Sequence, residues 1–191
     1  MPFEFATAGR IVFGPGVIRQ LAPAAASLGR RVLLVEGRSA RHAPAITPPL
    51  RAAGLAVSEF HVEGEPTVEA VLAGVEQARR DGCDLLVGLG GGSAIDAGKA
   101  ISALLTNPGD VHDYLEVVGR GAPLTRPAAP YIAAPTTAGT GAEVTRNAVL
   151  AVSERRVKVS LRSPGMLPRL ALVDPELTYG LPPEATASSG L

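Results

Sequence analysis

Residues 85 to 105 hold the most restrictive pattern in the chain. The apolar run Leu85-Leu86-Val87-Gly88-Leu89 enters three consecutive glycines and a serine, Gly90-Gly91-Gly92-Ser93, and then a helical pattern from about Ala94 to Leu105. A short, continuously apolar strand that turns through glycine into a helix belongs to a parallel sheet covered on both faces. Such sheets hold ligands at the carboxyl ends of their strands. Glycines let the main chain approach an anion closely, and the free N–H groups of a helix start can hold phosphate oxygens. Ser93 can add its hydroxyl or cap the helix. The plain alternative is a glycine-rich turn with a serine cap and no ligand. The spacing is neither the G-x-G-x-x-G fingerprint nor a Walker A loop, and Lys99, inside the helix, reads as a surface or packing residue.

The rest of the chain repeats the alternation. Ala8 to Phe13 reads as a strand, paired with Phe3 to Ala6 in an N-terminal β-hairpin. Val17, Leu21, Ala25 and Leu28 follow at helical spacing, with Gly29 at C′. Arg31 to Val35 and Ala56 to Val62 read as strands, while Pro44, Pro48 and Pro49 should interrupt any helix between them. Thr67 precedes an amphipathic helix carrying Val68, Val71, Leu72, Val75 and Ala78, closed by Asp81-Gly82. Tyr131 to Ala134, Asn147 to Val152, Val157 to Leu161 and Leu170 to Val173 complete the strands, and Pro182-Pro183-Glu184 opens a helix. The pattern predicts an α/β fold, a Rossmann-like parallel sheet flanked by helices.

Composition narrows the function classes. Eighteen basic and eighteen acidic residues leave no net charge to attract nucleic acid or anionic lipid. One cysteine, Cys83, excludes an intrachain disulfide framework and a cysteine-rich zinc module. No apolar stretch reaches the roughly 20 residues that span a bilayer, and no signal peptide is evident, so a cytoplasmic protein is expected.

A second loop, Pro135-Thr136-Thr137-Ala138-Gly139-Thr140-Gly141-Ala142-Glu143-Val144-Thr145, follows the strand Tyr131 to Ala134. Its threonines supply hydroxyl donors without bulk, suited to a diphosphate, a ribose or a carboxamide. Taken with Gly90-Gly91-Gly92-Ser93-Ala94-Ile95-Asp96, this loop resembles the hallmark motifs of the iron-containing (group III) alcohol dehydrogenases. The likeness extends to Gly9-Arg10-Ile11-Val12-Phe13-Gly14-Pro15-Gly16, Glu65-Pro66-Thr67, Lys158 and Leu172-Val173-Asp174-Pro175. Glycerol dehydrogenases and dehydroquinate synthases share the glycine loop, but their threonine loop reads differently.

The resemblance implies an NAD(P)-binding domain over residues 1–181 and, at 182–191, the start of a helical domain that carries Fe(II) or Zn(II). It implies that Gly91, Gly92 and Ser93 hold the diphosphate, with Asp96 toward the nicotinamide. Thr136, Thr137, Thr140 and Thr145 would line the cofactor, and Lys158 would contact a ribose hydroxyl. Pro66 and Thr67 would border the adenine side, and Leu177, Gly180 and Leu181 would wall the nicotinamide ribose. The family's metal ligands, an aspartate after a Gly-(Leu/Val) step and later histidines, have no counterpart up to Gly190-Leu191. No metal ligand and no catalytic residue is therefore assigned. His42, His61 and His112 read as surface or packing histidines, and the Asp110 to Asp113 segment as the cap of a short helix.

Many NAD-preferring relatives place an aspartate where Gly37 stands. A carboxylate there would repel a 2′-phosphate by roughly 4 kcal/mol at 4 Å and an effective dielectric of 20. Gly37 lifts that bar, Arg38 can pair with the phosphate, and Glu36, on a strand, should point away from the Gly37 side, so NADP is expected to be accepted as well as NAD. Two functions follow: one half of an NAD(P)-dependent alcohol dehydrogenase that interconverts a small alcohol with its aldehyde or ketone, or a stand-alone NAD(P)-binding module without activity. A homo-oligomer is expected, because the N-terminal hairpin of this fold often takes part in dimer formation.

Overall fold

The computed structural model describes residues 1–190. Six strands form one parallel sheet in the order β1-β8-β5-β4-β2-β3. They are β1 (Ile11–Phe13), β2 (Arg31–Gly37), β3 (Ala56–Val62), β4 (Leu85–Gly90), β5 (Tyr131–Pro135) and β8 (Leu170–Val173). The central strands read as continuous apolar runs because both of their faces are covered. Val32, Leu34, Val87 and Ile132 face α1 (Leu21–Leu28) and α2 (Ala43–Ala52). Leu33, Val35, Leu86 and Ala133 face α3 (Val68–Arg80), α4 (Gly92–Thr106) and an antiparallel pair, β6 (Asn147–Val152) with β7 (Val157–Arg162). The α/β fold with a parallel sheet flanked by helices is as the sequence predicts.

Four local expectations are corrected. No hairpin forms at the N-terminus: residues 1–10 carry no strand, and β1 pairs in parallel with β8. Alternating apolar residues cannot distinguish an adjacent antiparallel partner from a remote parallel one. Gly29 is extended (φ −165°) rather than left-handed, and a Cβ there would lie 2.7 Å from the Leu85 Cβ, so close approach explains the residue. The three prolines do not interrupt α2. Pro44 sits in the first turn, where its missing N–H needs no partner, and burial of Ile46, Thr47 and Leu50 offsets the two bonds lost at Pro48 and Pro49. Finally, Ser93 is not the N-cap of α4: Gly91 is, with extended backbone, and Ser93 lies in the first turn.

Thr67 caps α3 as expected, its hydroxyl accepting the Ala70 N–H at 3.1 Å. Asp110 likewise caps the short α5 (Val111–Tyr114), accepting the His112 N–H at 2.9 Å. The buried Asp174 ties the ends of the chain together. Its carboxylate accepts N–H groups of Gly16 at 3.1 Å, Ile18 at 3.0 Å and Glu176 at 3.0 Å. The helix α6 (Pro183–Gly190) follows it. No helix among the described residues is long and apolar enough to cross a membrane.

Candidate functional site: a glycine loop, a threonine loop and a buried lysine

The site lies where β4 and β5 end. Their loops run side by side, joined by the Thr136 N–H donating to the Gly90 carbonyl at 2.9 Å. Helix α4 is drawn close to the sheet by the buried Tyr131, whose hydroxyl donates to the Ile95 carbonyl at 2.9 Å. Bare glycines make room for that ring, since a Cβ on Gly98 would come within 2.8 Å of it. No side chain caps the α4 N-terminus, so the N–H groups of Gly92, Ser93 and Ala94 have no intrahelical acceptor.

Two hollows flank this helix start. The first is lined by Glu65, Pro66, Gly92, Ser93, Asp96, Thr140, Thr145 and Asn147. The second is lined by Glu36, Gly37, Ser39, Arg41, His42, Gly91 and Thr136. Between them the Thr137 hydroxyl is buried with no hydrogen-bond partner, 3.4 Å from where a Cβ of Gly91 would stand. A Cβ on Gly92 would lie 3.0 Å from the Thr140 methyl group. An unpartnered hydroxyl beside unpartnered amides, in space that any side chain on Gly92 would crowd, fits a diphosphate.

Of the residues singled out from sequence, Gly91, Gly92, Ser93, Asp96, Thr136, Thr137, Thr140, Thr145, Pro66 and Gly37 converge here. Pro66 shares its hollow with Asp96, so the two lie at one end of the cleft rather than at opposite ends. The Thr67 hydroxyl is spent on its cap. Lys158 pairs with Glu65 at 3.0 Å, leaving only the glutamate in the hollow. Leu177 and Gly180 line neither hollow; their carbonyls accept from the guanidinium of Arg41, which lines the second, at 3.4 Å and 2.7 Å. Leu181 follows them, half-buried, and Arg38 is exposed, outside both linings.

Sequence reasoning missed Arg41, left the role of Lys99 open and turned Glu36 away from the hollow that it shares with Gly37. Arg41 replaces Arg38 at the hollow because the chain turns at Ala40, whose φ is +40°. Lys99, read from sequence as a surface or packing residue, is fully buried. Its ammonium group donates to the carbonyls of Ala142 (2.7 Å) and Asn147 and to the Thr145 hydroxyl (3.1 Å), and pairs with Asp96 at 3.1 Å. Burial pulls its pKa below the usual lysine range, against the charge of Asp96. The other Asp96 oxygen accepts the Val149 N–H at 3.0 Å, so the pair fixes α4, the threonine loop and β6 in one arrangement.

Glu36 is the third. It is buried and one of its carboxylate oxygens has no partner. Burial, with the charge of Glu59 adding to it, pushes its carboxyl up to about 7. The folded protein then holds a proton that the unfolded chain has released once the pH passes about 4.3. Stability should therefore fall as pH rises from there through 7, by about 3 kcal/mol in all. Urea unfolding at pH 5 and pH 8, in buffer containing EDTA, should show that loss in the wild-type protein and a much smaller one in Glu36→Gln. An equal loss in both would assign it to other groups.

Comparison with known proteins agrees with this geometry. The family model "Iron-containing alcohol dehydrogenase" matches residues 8–175. The 4-hydroxybutyrate dehydrogenase of Cupriavidus necator is 44% identical over 139 residues, covering 72% of this chain and 36% of that protein. The choline dehydrogenase of Bacillus subtilis is 38% identical over 194 residues, covering 99% and 48%. A crystal structure of 1,3-propanediol oxidoreductase superposes with a TM-score of 0.92 at 35% identity, covering 100% of this chain and 50% of that one. Sulfoacetaldehyde reductase from Bifidobacterium kashiwanohense, in complex with NAD+, gives 0.88 at 34% identity, covering 100% and 50%. The chain thus spans half or less of the length of these relatives. A glycine loop, a threonine loop and the sheet that presents them, matched over nearly the whole chain, place it in the iron-containing alcohol dehydrogenase family.

Proposed function

We propose that this chain is the coenzyme-binding half of an NAD(P)-dependent alcohol dehydrogenase that interconverts an alcohol with an aldehyde or ketone. The observation that carries the reading is the uncapped α4 N-terminus beside the unpartnered Thr137 hydroxyl. Bound there, the nicotinamide dinucleotide supplies the hydride carrier. The Gly92, Ser93 and Ala94 amides and the Thr137 hydroxyl bind the diphosphate, while Thr136 keeps the two loops together. Lys99 and Asp96 hold the wall of the hollow in which Thr140 and Thr145 stand. Residues 1–181 form the coenzyme domain in this reading, and residues 182–191 open a helical one.

The family's catalytic iron or zinc does not fit the residues of this site. Its carboxylates are Glu65 and Asp96, no histidine lines that hollow, and Asp96 is already tied to Lys99. No step is routed through a metal here. Acceptance of NADP is part of the proposal. A Cβ on Gly37 would meet nothing within 4 Å, Arg41 lines the same hollow, and Glu36 is partly protonated near neutral pH. Self-association and a cytoplasmic setting belong to it as well, supported by the exposed Phe3, Phe5 and Phe13 and by a lone, buried Cys83 thiol.

Fluorescence titration with NADH and NADPH tests the reading. Both are expected to bind, with NADPH no more than about tenfold weaker than NADH, a 1.4 kcal/mol difference. Binding of neither coenzyme would overturn the proposal. A markedly tighter NADH would withdraw the 2′-phosphate part alone.

A further inference from the structure

On the α2 face of the sheet, at the edge away from the threonine loop, Glu59 and His61 occupy positions i and i+2 of β3. Their side chains therefore share one face. Glu36 on β2 is the register partner of His61. One carboxylate oxygen of each glutamate and one imidazole nitrogen lie within 4.8 Å of one another. We infer that Glu36, Glu59 and His61 form a binding site for a divalent first-row transition ion.

Two observations beyond the clustering support this. Glu36 is 1% exposed, and its unpartnered oxygen is buried, at a cost that an ion at the cluster would offset. The Glu59 carboxylate is already oriented, accepting the Thr47 hydroxyl at 3.0 Å, as metal-bound carboxylates usually are. Arg51 lines the hollow beside Glu59 and His61 without forming an ion pair to either glutamate among the described residues. The two acidic oxygens therefore lack a protein cation. Two carboxylates neutralise a divalent charge, and one imidazole with two oxygens suits zinc or cobalt better than the all-oxygen sets of calcium and magnesium. Ligand distances of about 2.0–2.2 Å require the three donors to close up modestly, which the exposed His61 imidazole can do by turning toward the two carboxylates. The inference does not depend on coenzyme binding.

The test is titration of the chelator-stripped protein with cobalt(II) chloride, followed by calorimetry and visible absorption, then displacement by zinc(II). The wild-type chain should bind one equivalent more than His61→Ala and Glu36→Gln. Any residual binding at that site should be weaker by about 100-fold or more. Because His61 is exposed at a sheet edge, His61→Ala should keep the fold even if Glu36→Gln does not, and thermal unfolding checks this. His112→Ala, beside Asp110, should leave the stoichiometry unchanged. Equal stoichiometry and affinity in wild type and His61→Ala would overturn the inference, as would loss of the equivalent in His112→Ala instead.

Discussion

Replacing Lys99 by methionine is expected to destabilise the protein by about 3–5 kcal/mol, the usual cost of breaking a buried ion pair by removing one partner. The apolar stem is replaced almost isosterically, so the loss isolates the ammonium group. Without it, the carbonyls of Ala142 and Asn147 and one oxygen of Asp96 lose the donor that a fully buried ammonium group supplies. The same change releases the threonine loop from α4, so coenzyme affinity should drop even under conditions where the variant is folded. Urea unfolding paired with coenzyme titration separates the two effects. A stability loss below about 1 kcal/mol, the range of exposed pairs, would show that the ammonium group contributes little.

Gly92→Val is expected to do the reverse, weakening coenzyme binding by about 100-fold or more, some 2.7 kcal/mol, with little change in stability. Gly92 opens the first turn of α4 and is half-buried, so no core packing depends on it. Its Cβ would already crowd Thr140, an exposed residue that can give way. The two further methyl groups would occupy the space in front of the helix amides. An anion held there by charge-assisted bonds, each worth about 1.5–3 kcal/mol, would lose at least one. A titration in which the variant binds NADH like the wild type would place the diphosphate elsewhere.

The central strands could be read from the sequence because their signal is local. A strand buried on both faces must be apolar where it is covered, and the stretches 32–35, 85–89 and 131–134 are. Both loops could be found for the same reason, since small residues at a strand end leave a compositional trace. Lys99 could not, because its acceptors are main-chain carbonyls 43 and 48 residues away, which any residue type supplies. A lysine on a helix looks the same whether it meets water or a distant carbonyl. Arg41 could not be picked out either, because it reaches the hollow through one left-handed residue, Ala40, which no turn signature announces. Glu36 reads from sequence only as a carboxylate turned away from the Gly37 side, until the register with β3 brings Glu59 and His61 beside it.

The clasp at Asp174 has a consequence for how the molecule comes into being. Gly16 and the aspartate it binds are 158 residues apart, and among the described residues β1 has β8 as its sole sheet neighbour. During translation, residues 11–13 must wait outside the ribosome, unpaired, until β8 and Asp174 have emerged. Closure of that seam is thus a late, long-range event whose speed is limited by bringing distant parts of the chain together.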